Sequence, residues 1–123
     1  MENKTVKAAI LGAGTVGSGV YALAGMLSDE MLQKTGGSLE IKKVLVRDTK
    51  KERDGIPGEL LTDCWNDILT DNEIQIIIEV MGGIEPARTY ITEAILSGKQ
   101  VVSANKDLLA EYGQELLRLA EEH

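Results

Sequence analysis

Three glycines, Gly12, Gly14 and Gly17, stand at G-x-G-x-x-G spacing directly after an apolar run. Their chemistry is anion binding. A side-chain-free backbone lets a diphosphate come close, and the first N–H groups of a helix point at it. On that reading Gly12 permits a tight turn, Gly14 admits the pyrophosphate and Gly17 lets the helix pack on the preceding strand. The N–H groups of Thr15, Val16 and Gly17 face the anion. The same glycines also suit a turn made only for packing, so their surroundings decide. A second candidate is Arg47, which ends a strand-like run and is followed by Asp48, Lys50 and Lys51. A guanidinium there suits the 2′-phosphate of NADP, whereas Asp48 suits the ribose hydroxyl of NAD. The alternative is that Arg47 is a solvated strand end. The balance of residues favours NADP, with NAD also accepted.

Other chemistries are poorly supplied. The single Cys64 has no internal disulfide partner and no nearby histidine to activate it. The one histidine is the last residue, His123, so metal-ligand spacing is lacking and no metal is expected. A formal net charge of −7 with scattered basic residues argues against nucleic acid as a partner. No run approaches the ~20 apolar residues of a membrane span, and the N-terminus lacks a signal-peptide pattern. A cytoplasmic location is therefore expected.

The elements that must position the glycines follow from periodicity. A chain of 123 residues, 43% hydrophobic and 27% charged, suits one globular domain. Residues 6–11 read as a first strand. From Thr15 to about Lys34, Val16, Val20, Leu23, Leu27 and Met31 mark one helix face, closed by Gly36 and Gly37. Residues 39–47 read as a second strand. The charged stretch after it, rich in Gly and Pro, reads as a loop. Asp63 is a candidate cap for a short helix to about Leu69. Residues 74–80 read as a third strand, buried on both faces. Glu79 ends it as a carboxylate without an assigned role. Pro86 suits the first turn of a helix to Leu96. Residues 100–104 read as a fourth strand, followed by a helix from Lys106 with Leu109, Tyr112, Leu116 and Leu119 on one face. Tyr112 reads as core, Trp65 as local packing and Asn105 as a helix cap or site residue. This alternation predicts an α/β fold: a Rossmann-like, doubly wound parallel sheet, partial at about four strands in the order 3-2-1-4, with helices on both faces.

The stretches GAGTVGSGV (12–20), VLVRD (44–48), IIIEVMGGIEPA (76–87) and VVSANKDLLAEYG (101–113) together resemble the N-terminal part of homoserine dehydrogenases. The resemblance covers nearly the whole chain, and its SANK segment is more specific than the glycines. It implies NAD(P)-dependent interconversion of aspartate 4-semialdehyde and homoserine, in threonine, methionine and isoleucine synthesis. It implies that Gly12, Gly14 and Gly17 form the diphosphate loop and that Arg47 meets the adenosine phosphate. Met81, Gly82 and Gly83 would run beside the nicotinamide ribose. Lys106 would lie by the nicotinamide, in cofactor handling and proton transfer. Ser103 stands where many members carry Thr and keeps the hydroxyl at the cofactor site. A cation at Lys106 suits the negative charge that grows on an aldehyde oxygen as hydride arrives.

The resemblance also implies that residues 1–123 are the N-terminal part of an NAD(P)-binding domain, with the substrate and catalytic domain absent. Such a chain is expected to bind nucleotide without turnover. An open sheet edge and apolar surface predict a homo-oligomer, with a dimer as its simplest form. The rival functions are a stand-alone NAD(P)-sensing module and the cofactor domain of a dehydrogenase for another small substrate.

Overall fold

The computed structural model describes residues 5–12, 19, 21–22, 25, 37–47, 49–50, 56–103 and 105–123. Five parallel strands form its sheet: β1 (Thr5–Leu11), β2 (Ser38–Leu45), β3 (Leu61–Thr62), β4 (Ile74–Glu79) and β5 (Gln100–Ser103). Their order is β3-β2-β1-β4-β5. Three helices follow the later strands: α1 (Trp65–Leu69), α2 (Ala87–Leu96) and α3 (Lys106–Glu122). A 3-10 turn, Gly58–Leu60, leads into β3.

β1 is the axis of the sheet. Ala8, Ala9, Ile10 and Leu11 are fully buried, because alternate side chains enter two cores. On one face Ala8 and Ile10 meet Ile41, Val44, Val46 and Ile56, with Tyr21 packed against them. On the other, Ala9 and Leu11 meet Leu45, Ile68 and Ile77, beneath Ala94 of α2. Each fully buried Ile or Leu contributes about 1.5–3 kcal/mol. Gly19, Tyr21, Ala22 and Gly25 are helical, and the rest of the helix predicted over 15–34 lies outside the described residues. The fold is the Rossmann-like parallel α/β arrangement that the alternation predicts.

Four differences have physical causes. The outer place beside β2 is filled by Leu61–Thr62, from the stretch read as loop, and the strand over 74–80 lies on the other side of β1. Two residues suffice there because Val46 N–H also bonds to Thr62 O at 2.8 Å. Asp63 does not cap α1: Cys64 holds the cap position without a side-chain bond, and its N–H donates to Thr62 Oγ1. Pro86 stands one residue before α2, whose first turn is capped by Glu85. Its carboxylate accepts from Thr89 N–H at 2.9 Å, at the helix end that favours negative charge. In α3 the buried stripe runs through Leu108 and Leu116, with Tyr112 and Leu119 partly covered. Leu109 stays 46% exposed, one position off that stripe.

The end of the sheet opposite the glycines is held by charge. Lys42 Nζ donates to Asp71 at 2.6 Å and to Glu73 at 2.8 Å, and Lys7 also reaches Glu73. Hydrogen bonds to Asp71, then Glu73, raise the Lys42 pKa, and the Lys42 ammonium lowers both carboxyls in return. Lys99 Nζ donates to the carbonyls of Asp71 and Ile74, and burial pushes its pKa down. Arg88 lies 4.0 Å over the Tyr112 ring and pairs with Glu115, which ties α2 to α3.

Candidate functional site

Parallel pairing brings the predicted site residues to one edge. Leu11 is in register with Leu45 and with Glu79, and Glu79 with Ser103. The turns that leave β1, β2, β4 and β5 therefore emerge together at the carboxyl end of the sheet, where open α/β sheets bind ligands. The chain switches direction between β1 and β4, which is where such sheets form a crevice.

Gly12 sits in this edge with φ +103°, a conformation that L side chains rarely adopt. A Cβ there would lie 3.3 Å from Met81 Cα and 3.4 Å from Met81 Cγ. Its N–H donates to Leu45 O at 2.9 Å, while Val80 N–H donates to Leu11 O at 3.1 Å. Gly12 is thus the point where the turns after β1 and β4 pass each other. Gly14, Thr15, Val16 and Gly17 lie outside the described residues.

The turn after β4 runs through Met81, Gly82 and Gly83. Gly82 and Gly83 have φ +78° and +74° and are exposed. Two consecutive left-handed residues strongly favour glycine, and without side chains they leave the backbone open to a ligand. Across the edge, Ser103 ends β5 and Asn105 caps α3, its Oδ1 accepting from Leu108 N–H at 3.1 Å. Lys106 follows as the exposed first residue of α3.

Sequence reasoning left Glu79 without a place, and the structure supplies one. It is fully buried at the end of β4. It accepts from Met81 N–H at 2.8 Å, Ser103 Oγ at 2.6 Å and Asn105 Nδ2 at 3.4 Å. The signal available in the sequence was a carboxylate inside a strand of isoleucines, directly before Met-Gly-Gly.

Arg47 is exposed two residues past β2, on the far side of β1 from this cluster. From β2 to β5 is three strand spacings, about 14 Å. The edge therefore carries an anion-matching group at one end and an open, hydrogen-bonded cluster at the other. Asp48 and Lys51 lie outside the described residues, and Lys50 is exposed. Trp65 stacks on Tyr90 of α2, ring centroids 4.7 Å apart, so it packs between two helices and not only within its own segment, and Cys64 is exposed and free. Among the described residues no cluster of His, Cys, Asp and Glu could hold a metal ion. None of their helices is long and apolar enough to cross a membrane. A cavity of about 720 Å³ runs along β5 between α2 and α3, lined by Ile91, Ile95, Leu109, Leu116 and Leu117, and by Ser103 at the end of β5.

Comparison with known proteins bears on this edge. A family model described as "Homoserine dehydrogenase, NAD binding domain" matches residues 12–123. The homoserine dehydrogenase of Bacillus subtilis is 43% identical over 98% of this chain, and that of Lactococcus lactis 48% over 97%. In both cases the match covers 28% of the relative, so the chain spans under a third of their length. The crystal structure of Staphylococcus aureus homoserine dehydrogenase at pH 8.5 superposes with a TM-score of 0.92 at 42% identity, over 98% of this chain and 31% of that one. A hyperthermophilic archaeal homoserine dehydrogenase in complex with NADPH shares the fold, with a TM-score of 0.74 at 23% identity, over 96% of this chain and 41% of that one.

Proposed function

The chain belongs to the homoserine dehydrogenase NAD-binding family, and from that premise we propose that its carboxyl sheet edge holds the NAD(P) of an aspartate 4-semialdehyde/homoserine oxidoreductase. The observation that carries this reading is Gly12. Its backbone is one that L side chains rarely adopt, a Cβ there would crowd Met81 Cα at 3.3 Å, and the same residue begins the G-x-G-x-x-G segment. The open turn at Gly82 and Gly83 fits the same role.

In this proposal the turn from Gly12 through Gly14, Thr15, Val16 and Gly17 holds the diphosphate, and Arg47 holds the adenosine end. Arg47 favours NADP, because an exposed guanidinium at the end of β2 matches a 2′-phosphate. NAD binds more weakly. Met81, Gly82 and Gly83 line the nicotinamide ribose, and Ser103 closes that side. When bound, the nicotinamide supplies or accepts the hydride that interconverts aldehyde and alcohol. Lys106 presents an ammonium to the substrate oxygen, where it stabilises developing negative charge and delivers a proton. The 123-residue chain alone binds the cofactor without turnover, because hydride transfer needs the aldehyde held against the ring.

Calorimetric titration of the chain with NADPH and NADH tests the reading. Saturable binding of one molecule per chain, tighter for NADPH, is the expected result. Absence of binding for both overturns it.

A further inference from the structure

Resting on that reading of the edge, we infer that Glu79, acting with Asn105, is a positioning residue that holds the nicotinamide-side turn and the start of α3 as one unit. A buried carboxylate is costly in a sheet interior unless donors surround it. Glu79 is fully buried, in a strand whose other inward residues are isoleucines. An apolar side chain would serve packing there without the desolvation cost. Yet the donors that Glu79 collects come from both site turns: Met81 N–H from one, and Ser103 Oγ and Asn105 Nδ2 from the other.

Asn105 completes the link. Its Nδ2 also donates to Gly83 O at 2.5 Å, and its Oδ1 caps α3. One amide therefore joins the helix start to the glycine turn, and one carboxylate anchors both to β4. Gly82 and Gly83 are exposed and left-handed, so little else in their own conformations restrains that turn. Lys106 is the next residue after Asn105, so its backbone is fixed by the same bonds. The Ser103 hydroxyl donates its hydrogen bond to Glu79 and accepts one from Asn105 N–H at 3.1 Å. Its first role is then a strut between the two turns, not a donor to a ligand.

The test measures two probes on the chain: NADPH, which spans both ends of the edge, and adenosine 2′,5′-bisphosphate, which engages the Arg47 end, reaches no further than the diphosphate site and lacks the nicotinamide half. Glu79→Asp keeps the carboxyl group but withdraws the oxygens by one methylene, so it no longer reaches both turns. We expect NADPH affinity to fall about tenfold, or about 1.4 kcal/mol, with less than about a twofold change for the bisphosphate. Glu79→Gln keeps the reach, with an oxygen for Met81 and Asn105 and an amide for Ser103. It should stay within about threefold of wild type for NADPH, about 0.7 kcal/mol. Asn105→Ser keeps a helix cap but loses the bonds to Gly83 and Glu79. It should also weaken NADPH selectively, and it decides the matter if Glu79→Asp does not fold. Equal losses for both probes, or unchanged NADPH binding in Asn105→Ser, overturn the positioning role alone. A wild-type chain that binds neither probe overturns the cofactor reading and this proposal with it.

Discussion

Replacing Gly12 with alanine places a methyl group where, among the described glycines, there is least room for one. The φ of +103° is itself strained for an L residue, at about 1–3 kcal/mol. The new Cβ would stand 3.3 Å from Met81 Cα. That atom is backbone and cannot swing aside, so the turn after β4 must shift. With about 1 kcal/mol of overpacking added, the low end for so small a shift, the loss is about 2–4 kcal/mol, a large part of the ~5–15 kcal/mol typical of a domain. At a urea slope of about 1.5 kcal/mol per molar, the unfolding midpoint drops by about 1.3–2.7 M. Gly98→Ala is the control. Its φ is +90°, but nothing lies within 4 Å of the added Cβ, so it carries the strain without the crowding. Urea denaturation of both variants separates the two contributions. NADPH titration should show weakened binding for Gly12→Ala and wild-type affinity for folded Gly98→Ala. A Gly12→Ala chain with an unchanged midpoint and unchanged NADPH affinity would refute the close approach of the two turns.

Arg47→Ala should lose about 1.5–3 kcal/mol of NADPH affinity, the scale of a charged hydrogen bond, while NADH binding barely moves. Equal losses would remove the 2′-phosphate assignment. The Lys42 cluster predicts the pH dependence of stability. The Asp71 and Glu73 carboxyls are lowered in the folded state, by Lys42 first. Their contribution is therefore present above the unfolded carboxylate range and is lost as pH falls through the depressed folded values. Lys42 is raised, so its contribution is full below the ordinary lysine range and is lost as pH rises through the folded value. Asp71→Asn combined with Glu73→Gln should flatten the acid limb of urea midpoint against pH, and an unaltered limb would contradict the pairing. The chain mixed with aspartate 4-semialdehyde and NADPH should leave the NADPH absorbance constant, and steady consumption would overturn the absence of turnover.

The sheet was legible because its strands advertise themselves. Ile74 to Ile78 can hardly be anything but a buried strand, and Gly12 marks where β1 stops. Leu61–Thr62 was not legible. Two residues carry no periodicity, and their pairing depends on β2 being in place. At the start of α3 the buried position is Leu108 where Leu109 was expected, for a similar reason. Leu108 and Leu109 are both leucine, and only packing against α2 selects Leu108. At the site, spacing and resemblance pointed to Gly12, Arg47, Met81 to Gly83, Ser103, Asn105 and Lys106, and the parallel register gathers them on one edge. The bonds of Glu79 were hidden because their donors lie on two other segments, which sequence spacing does not relate.

The central claim is that a dinucleotide lies along the carboxyl edge of the sheet, from Arg47 past Gly12 to the turn after β4. A crystal structure of the chain with NADPH tests it most directly. The account predicts the diphosphate against the turn that begins at Gly12, with the nicotinamide beside Met81 to Gly83 and within reach of Lys106. Density for the coenzyme on another face, with that turn closed by protein atoms, would contradict it.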